Sequence, residues 1–185
     1  CATEDHAFFD HILKIWCDED EELYNYILNW FAFIVQNPGK KTKVALVLKS
    51  NPRAGKGIII DLIREMIGMQ YCFQPTNVSE ILGNFNKGLD NKLFLFLDEM
   101  VWGGDKEKSG ILKKYITEDE LTINAKNKSV KVVKNMFNVV IASNEAWVVP
   151  NDVTEQRYQV IQLRETMTKL PAAERNQVIS DILSI

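Results

Sequence analysis

Three polar clusters, each following an apolar run, have the residue types that phosphate-transfer chemistry needs. The first is Lys49-Ser50-Asn51-Pro52-Arg53-Ala54-Gly55-Lys56-Gly57, between the apolar run 44–48 and the amphipathic run 58–67. A strand, a tight loop ending in Gly-Lys and a helix form a phosphate-binding loop. Its backbone N–H groups and the helix N-terminus would face an anion, and Lys56 would add a full positive charge. The expected binding residues are Ser50, Asn51, Pro52, Arg53, Ala54, Gly55, Lys56 and Gly57. Two positions depart from the usual GxxxxGK[ST] pattern. Ser50 stands where the first Gly is expected, and Gly57 where a Mg²⁺-binding hydroxyl is expected.

The second cluster is Asp98-Glu99, after the continuous apolar run 93–97. Asp98 suits a carboxylate that holds Mg²⁺ directly or through water. Glu99 suits a base that orients or deprotonates an attacking water. The same pair also fits a helix N-cap with a first-turn acid. The third cluster is Ser143-Asn144, after the buried run 137–142, where Asn144 could position water near a terminal phosphate. The order of the three clusters along the chain favours the catalytic reading over the capping one.

These clusters need a scaffold that brings strand ends together. Segments 5–16 and 20–36 read as helices, the second with Leu23, Tyr26, Ile27, Trp30, Phe31 and Ile34 at helical spacing. Asn37-Pro38-Gly39 ends it, so residues 1–40 read as a small helical appendage. The main domain, 41–185, alternates strands at 44–48, 70–73, 93–97, 137–142 and 158–163 with helices at 57–68, 77–82, 107–116 and 172–183. That alternation predicts a three-layer α/β domain on a mostly parallel sheet, with ligands at the carboxyl ends of the strands. Segments 121–125 and 130–133 flank Lys126-Asn127-Lys128-Ser129 and read as a hairpin.

Composition excludes several other classes. The chain has 185 residues, 46% hydrophobic and 25% charged, as an ordinary globular domain does. No apolar run approaches the roughly 20 residues that span a bilayer, so no membrane partner is expected. Cys1, Cys17 and Cys72 form neither a metal spacing nor a disulfide framework, which points to a reducing, intracellular setting such as the host cytoplasm. His6 and His11 are five apart and read as surface helix residues rather than metal ligands. The net charge of −3 conceals an asymmetry. Eight acids and one Lys fall in the first 22 residues, whereas 126–134 holds four lysines and no acid. The basic segment reads either as a solvated face or as the footprint of a nucleic-acid partner.

In the order of Gly55-Lys56, Asp98-Glu99, the lysine hairpin and Ala142-Ser143-Asn144, the sequence resembles superfamily 3 helicases. More narrowly, it resembles the helicase domain of poxvirus-type primase-helicases of viruses, phages and mobile elements. Segments 98–106, 112–118 and 144–150, together with Glu155 and Arg157-Tyr158, carry the likeness, which covers nearly the whole chain. The resemblance implies an AAA+-like P-loop ATPase using ATP and Mg²⁺ and assembling into a ring, usually a hexamer, around single-stranded or forked DNA. It also brings the expectation of a primase module in the same polypeptide. Arg157 is then the candidate arginine finger for a neighbouring subunit's site, with a salt bridge at a strand edge as its other reading. Arg53 and Arg164 are lesser candidates. Lys126 and Lys128 would touch DNA phosphates as mobile point charges, and Lys131 and Lys134 could extend that path. Trp102-Gly103-Gly104 reads as a tight turn near the nucleotide, with Trp102 structural. Two rivals stand beside the motor. One is a nucleotide-binding, non-motor replication scaffold with weak turnover, suggested by Ser50 and Gly57. The other is a small-molecule kinase, against which the lysine hairpin argues.

Overall fold

The computed structural model describes residues 6–51, 54–99, 106–144, 156–164 and 169–184. Five parallel strands form the central sheet: β1 (Ala45–Lys49), β2 (Cys72–Phe73), β3 (Phe94–Asp98), β6 (Asn138–Ser143) and β7 (Tyr158–Gln162). Their order is β2-β3-β6-β1-β7. Strands β4 (Glu120–Ile123) and β5 (Lys131–Lys134) pair antiparallel in a separate two-stranded hairpin.

The inner strands β1, β3 and β6 are apolar apart from their end residues because both sheet faces are covered there, whereas the edge strand β7 is only half-buried. Side-chain alternation divides them between two cores. Leu46, Leu48, Phe94, Phe96, Val140 and Ala142 face one core. Ala45, Val47, Leu95, Leu97, Val139 and Ile141 face the other.

The first core is roofed by α2 (Glu21–Gln36) and α3 (Lys56–Ile67), with Ile182 of α6 (Ala172–Ile182) also buried in it. In α2 the buried residues Ile27, Trp30, Phe31 and Ile34 recur at the spacing of one helix face. Asp20 caps that helix by accepting from the Leu23 N–H at 3.0 Å, and Glu21 and Glu22 complement its dipole. The Trp30 indole N–H donates to the Val44 carbonyl at 3.1 Å, fixing α2 against the start of β1. The predicted helix over 5–16 is instead a short α1 (Ala7–His11) followed by a π-helical turn, Ile12–Trp16. Its apolar residues Phe8, Ile12, Ile15 and Trp16 join the same core as α2 and α3.

The second core is covered by α4 (Ser79–Leu82), α5 (Lys106–Thr117) and the hairpin. The hairpin root is held by buried amides. Asn86 donates to the Thr122 carbonyl at 2.9 Å and accepts from the Asn124 N–H at 2.8 Å. Asn135 donates to the carbonyls of Tyr115 and Glu118, each at 2.9 Å. Cys17 and Cys72 are both free and buried. Among the described residues, no helix is long and apolar enough to cross a membrane.

Candidate functional site

Parallel pairing puts the carboxyl ends of β1, β6 and β3 side by side, and β6 lies between the other two. Lys49 pairs in register with Ser143, and Asp98 with Ala142. The three polar clusters therefore converge on one sheet edge, with Asn144 in the middle position. The chain then closes a bridge across the strands. The Lys56 Nζ donates to Asn144 Oδ1 at 2.8 Å, and Asn144 Nδ2 donates to Glu99 Oε1.

Each partner has a local cause. Gly55 is the N-cap of α3 and has φ +82°, a left-handed conformation that glycine adopts at little cost. Lys56 is the first residue of α3 and is 8% exposed. Ser50 is buried; its N–H donates to the Ser143 carbonyl at 3.2 Å and its Oγ to the Asn51 carbonyl at 2.8 Å. The first bond ties the base of the loop to β6, and the second stays within the loop. Ala54 is buried as well. Pro52 and Arg53 lie outside the described residues. Glu99 has φ +50°, rare for a residue with a side chain. Its N–H donates to the Ala142 carbonyl at 2.8 Å, so the kink comes one residue past the strand without breaking the ladder. Backbone strain of this kind costs about 1–3 kcal/mol and concentrates at functional sites.

The electrostatics are mutually dependent. Desolvation lowers the Lys56 pKa, and the charges of Asp98 and Glu99 oppose that shift. The Asp98 pKa is raised, first by desolvation and then by the negative charges of Glu99 and Asp61, while Lys56 pulls it down. Asp98 is open to solvent at the strand end, yet the surrounding walls still desolvate it. Asp61, within α3, was missed by the sequence reading. Its signal was its position five residues after Lys56, on the helix that starts at the loop. Gly57 has no atom within 4 Å of an ideal Cβ, so the space for a hydroxyl side chain exists although the hydroxyl does not.

Other predicted residues lie elsewhere. Arg157 is exposed just before β7. Its carbonyl accepts from the Ala45 N–H at 2.8 Å, which puts it beside the start of β1. The loop that precedes α3 leaves the other end of β1, about 13 Å away at the rise of a strand. Arg157 is thus outside the cluster formed within its own chain. Arg164 is ion-paired with Asp18. Lys126 and Lys128 are exposed between β4 and β5, where Asn127 takes φ +60°. Lys131 does not extend their path freely, because its Nζ is 2.6 Å from Asp90. Lys134 pairs in register with Glu120. Trp102-Gly103-Gly104, Glu155 and segment 145–150 lie outside the described residues.

The reading of His11 as a surface residue is corrected, whereas His6 is half-exposed and precedes the helix rather than lying in it. His6 caps α1, its Nδ1 accepting from the Phe8 N–H at 3.1 Å. His11 is 4% exposed and packs against Gly55. The burial of His11 comes from packing against Gly55, distant in sequence, which the spacing of the two histidines does not reveal.

Residues 48–157 match a family described as a family of unknown function (DUF5906). The chain belongs to the DUF5906 family. The matched segment runs from β1 to Arg157 and so contains the loop, Asp98-Glu99, the hairpin and Asn144. The chain is also homologous to the DNA primase-polymerase of Nitratiruptor phage NrS-1, with 31% identity over 155 residues. That alignment covers 81% of this chain and 21% of the phage protein. Two apo structures of the NrS-1 C-terminal region superpose with TM-scores of 0.77 and 0.80, each at 26% identity and covering 95% of this chain. The chain spans 42–43% of those solved regions.

Proposed function

We propose that this chain is the ATP-hydrolysing motor domain, of superfamily 3 helicase type, of a phage DNA-replication protein. The observation that carries the proposal is the Lys56–Asn144–Glu99 bridge over three adjacent strand ends. A phosphate-binding cation, a neutral amide and a carboxylate base meet there, next to the Mg²⁺-type carboxylate Asp98. Homology to a phage primase-polymerase supports the replication setting. On this reading the fold is a P-loop NTPase of AAA+-like type.

The donor set suits ATP with Mg²⁺. Asp98 and Glu99 offer hard oxygen ligands and Asp61 adds negative potential, which fits an ion held mostly by phosphates and water. When bound, Mg²⁺ neutralises charge on the β- and γ-phosphates. The chain's own residues do the rest. The N–H groups of the loop and of α3 bind the phosphates. Lys56 exchanges its Asn144 partner for β- and γ-phosphate oxygens. Asn144, released from Lys56, turns its amide toward the γ-phosphate and keeps hold of Glu99. Glu99 then takes the proton of the attacking water.

Arg157 acts on the site of a neighbouring subunit in a ring, a hexamer by the resemblance; its distance from the loop of its own chain supports a role in trans. Lys126 and Lys128 contact the phosphates of single-stranded DNA. An ATPase assay with and without single-stranded DNA tests the proposal. Turnover stimulated by DNA is the expected result; no turnover under either condition counts against a motor. Gly57 favours a second reading, a nucleotide-binding scaffold that turns over slowly. It gives nucleotide-dependent DNA binding with little or no hydrolysis.

A further inference from the structure

Gly57 leaves a gap in the proposed Mg²⁺ chemistry that another residue of the same helix is placed to fill. In a phosphate loop the residue after the lysine ordinarily brings a hydroxyl to the ion. Gly57 brings none, and an ideal Cβ there meets nothing within 4 Å. Gly57 and Asp61 are both exposed, on the side of α3 away from the buried Ile59, Ile60 and Ile63. They are one helical turn apart, so their side-chain positions are neighbours at about 5–6 Å. Helical side chains lean toward the N-terminus, and Asp61 thus covers the turn that begins at Gly57.

Two contacts fix which way this part of α3 faces. Arg64 Nη1 donates to Asp61 Oδ1 at 2.9 Å and to Gln74 Oε1 at 3.0 Å. Gln74 directly follows β2, the strand next to β3. The Asp61–Arg64 pair therefore lies on the side of the site where β3 ends in Asp98. The charge of Asp61 is felt there, helping to hold the Asp98 carboxyl above its usual range.

Stability does not account for this arrangement. The Asp61 side chain is 62% exposed, and an exposed ion pair contributes little. Its charge also works against the ionised form of Asp98. A divalent cation beside both carboxylates turns that repulsion into attraction. We infer that Asp61 takes the place of the missing hydroxyl, holding a water ligand of Mg²⁺ while Asp98 holds the ion from the strand side. Mg²⁺ usually keeps several of its waters, which lets a carboxylate one turn along the helix serve it. Arg64 grips one oxygen of Asp61 and so orients the other. The inference rests on the phosphate-binding reading of the loop and names the residue that lets the loop dispense with a hydroxyl at Gly57.

The test uses the full chain and a non-hydrolysable ATP analogue. Calorimetry gives its affinity once with Mg²⁺ and once with a chelator instead. In wild type, Mg²⁺ should tighten binding. In Asp61→Asn that Mg²⁺ effect should shrink roughly ten-fold, the low end of what losing an outer-shell partner costs a metal site. Binding without Mg²⁺ should be no weaker than in wild type, because a negative charge near the phosphates is gone. A merely structural residue would lower both affinities alike. Adding Gly57→Ser to Asp61→Asn should return most of the Mg²⁺ effect, since the hydroxyl then reaches the ion by the usual route. The same Mg²⁺ effect in Asp61→Asn and wild type, an equal loss with and without Mg²⁺, or no recovery in the double variant would overturn the inference. Should Asp61→Asn fail to fold, Asp61→Ala, which suits a helix better, is measured instead. No analogue binding by wild type under either condition, with Lys56→Ala no different, would instead overturn the phosphate-loop reading and this inference with it.

Discussion

Lys56 at the carboxyl edge of the sheet and Lys126 and Lys128 at the hairpin tip carry the same charge in opposite surroundings. Lys56 is buried, fixed at the start of a helix and bonded to one side chain. The tip lysines are exposed, on a loop between two short strands, with no ion pair among the described residues. A buried cation loses solvation and gains direction, so it suits a ligand whose atoms must be placed. An exposed lysine keeps its solvation and its freedom, and binds any phosphate at a similar distance. The two regions should therefore respond to different perturbations. The sheet edge should respond to geometry and protonation, the hairpin to salt.

The largest effect should come from Lys56→Ala, which removes the buried cation from the phosphates. ATP turnover should fall by roughly 10³-fold, as when a fixed electrostatic group is deleted from a transition state. Its affinity for single-stranded DNA, measured without nucleotide, should stay within about two-fold. A parallel loss of DNA binding would break the separation between the two regions.

Protonation of the buried side is the next effect. The His11 pKa is lowered to about 4 in the fold, against 6.5 when exposed. The neutral ring is therefore favoured by folding at high pH. Stability should be complete above about pH 6.5 and should decline as pH falls toward 4, because the unfolded chain then binds a proton that the native chain does not. The full loss amounts to about 3 kcal/mol, since each tenfold change in proton affinity is worth about 1.4 kcal/mol. Denaturant melts of wild type and His11→Gln at pH 7.5 and pH 4.5 check this; the variant should show the smaller pH dependence.

The hairpin should give a smaller effect of a different kind. Lys126→Ala with Lys128→Ala should weaken DNA binding alike for all sequences. The double variant should reduce the slope of log affinity against log salt by about one for each phosphate no longer neutralised. An unchanged slope would put the tip off the DNA path. Lys131→Ala should change that slope less, because Asp90 already holds this lysine.

Gly57→Ser should give the mildest change. The site has room for the side chain, and Ser replaces Gly in a helix, worth about 0.5 kcal/mol of propensity. Turnover should rise a few-fold if a missing hydroxyl limits it. A fall in turnover, measured by the same assay, would mean that the loop has adapted to Gly57.

The strands were legible because each is a short apolar run ended by polar residues, and β1, β3, β6 and β7 begin and end within about one residue of the predicted positions. Asn144 could be read as a residue that positions water near a terminal phosphate from its place after a buried strand, but not as a bridge between Lys56 and Glu99. That needed the sheet order, which lays β6 between β1 and β3 and which local patterning does not encode. His11 was illegible for a similar reason. Its burial comes from where α1 meets Gly55, 44 residues away in the sequence. Of the apolar stripe of α2, Ile27, Trp30, Phe31 and Ile34 are core while Tyr26 is exposed; the sheet face the helix covers became visible only in the packing. Charge patterning announced the lysine hairpin but not that Lys131 is paired with Asp90 from another loop.

The central claim is that a buried cation and a carboxylate base, bridged by Asn144, form one hydrolytic site. It is tested most directly by measuring ATP binding and ATP turnover together in wild type and Glu99→Gln. The substitution keeps the side chain's size and its ability to meet Asn144, while removing the charge that accepts a proton from water. The account predicts ATP affinity within about three-fold of wild type and turnover reduced by roughly 10²–10⁴-fold, the usual contribution of a positioned base. Near-normal turnover in Glu99→Gln, with ATP bound as in wild type, would contradict it.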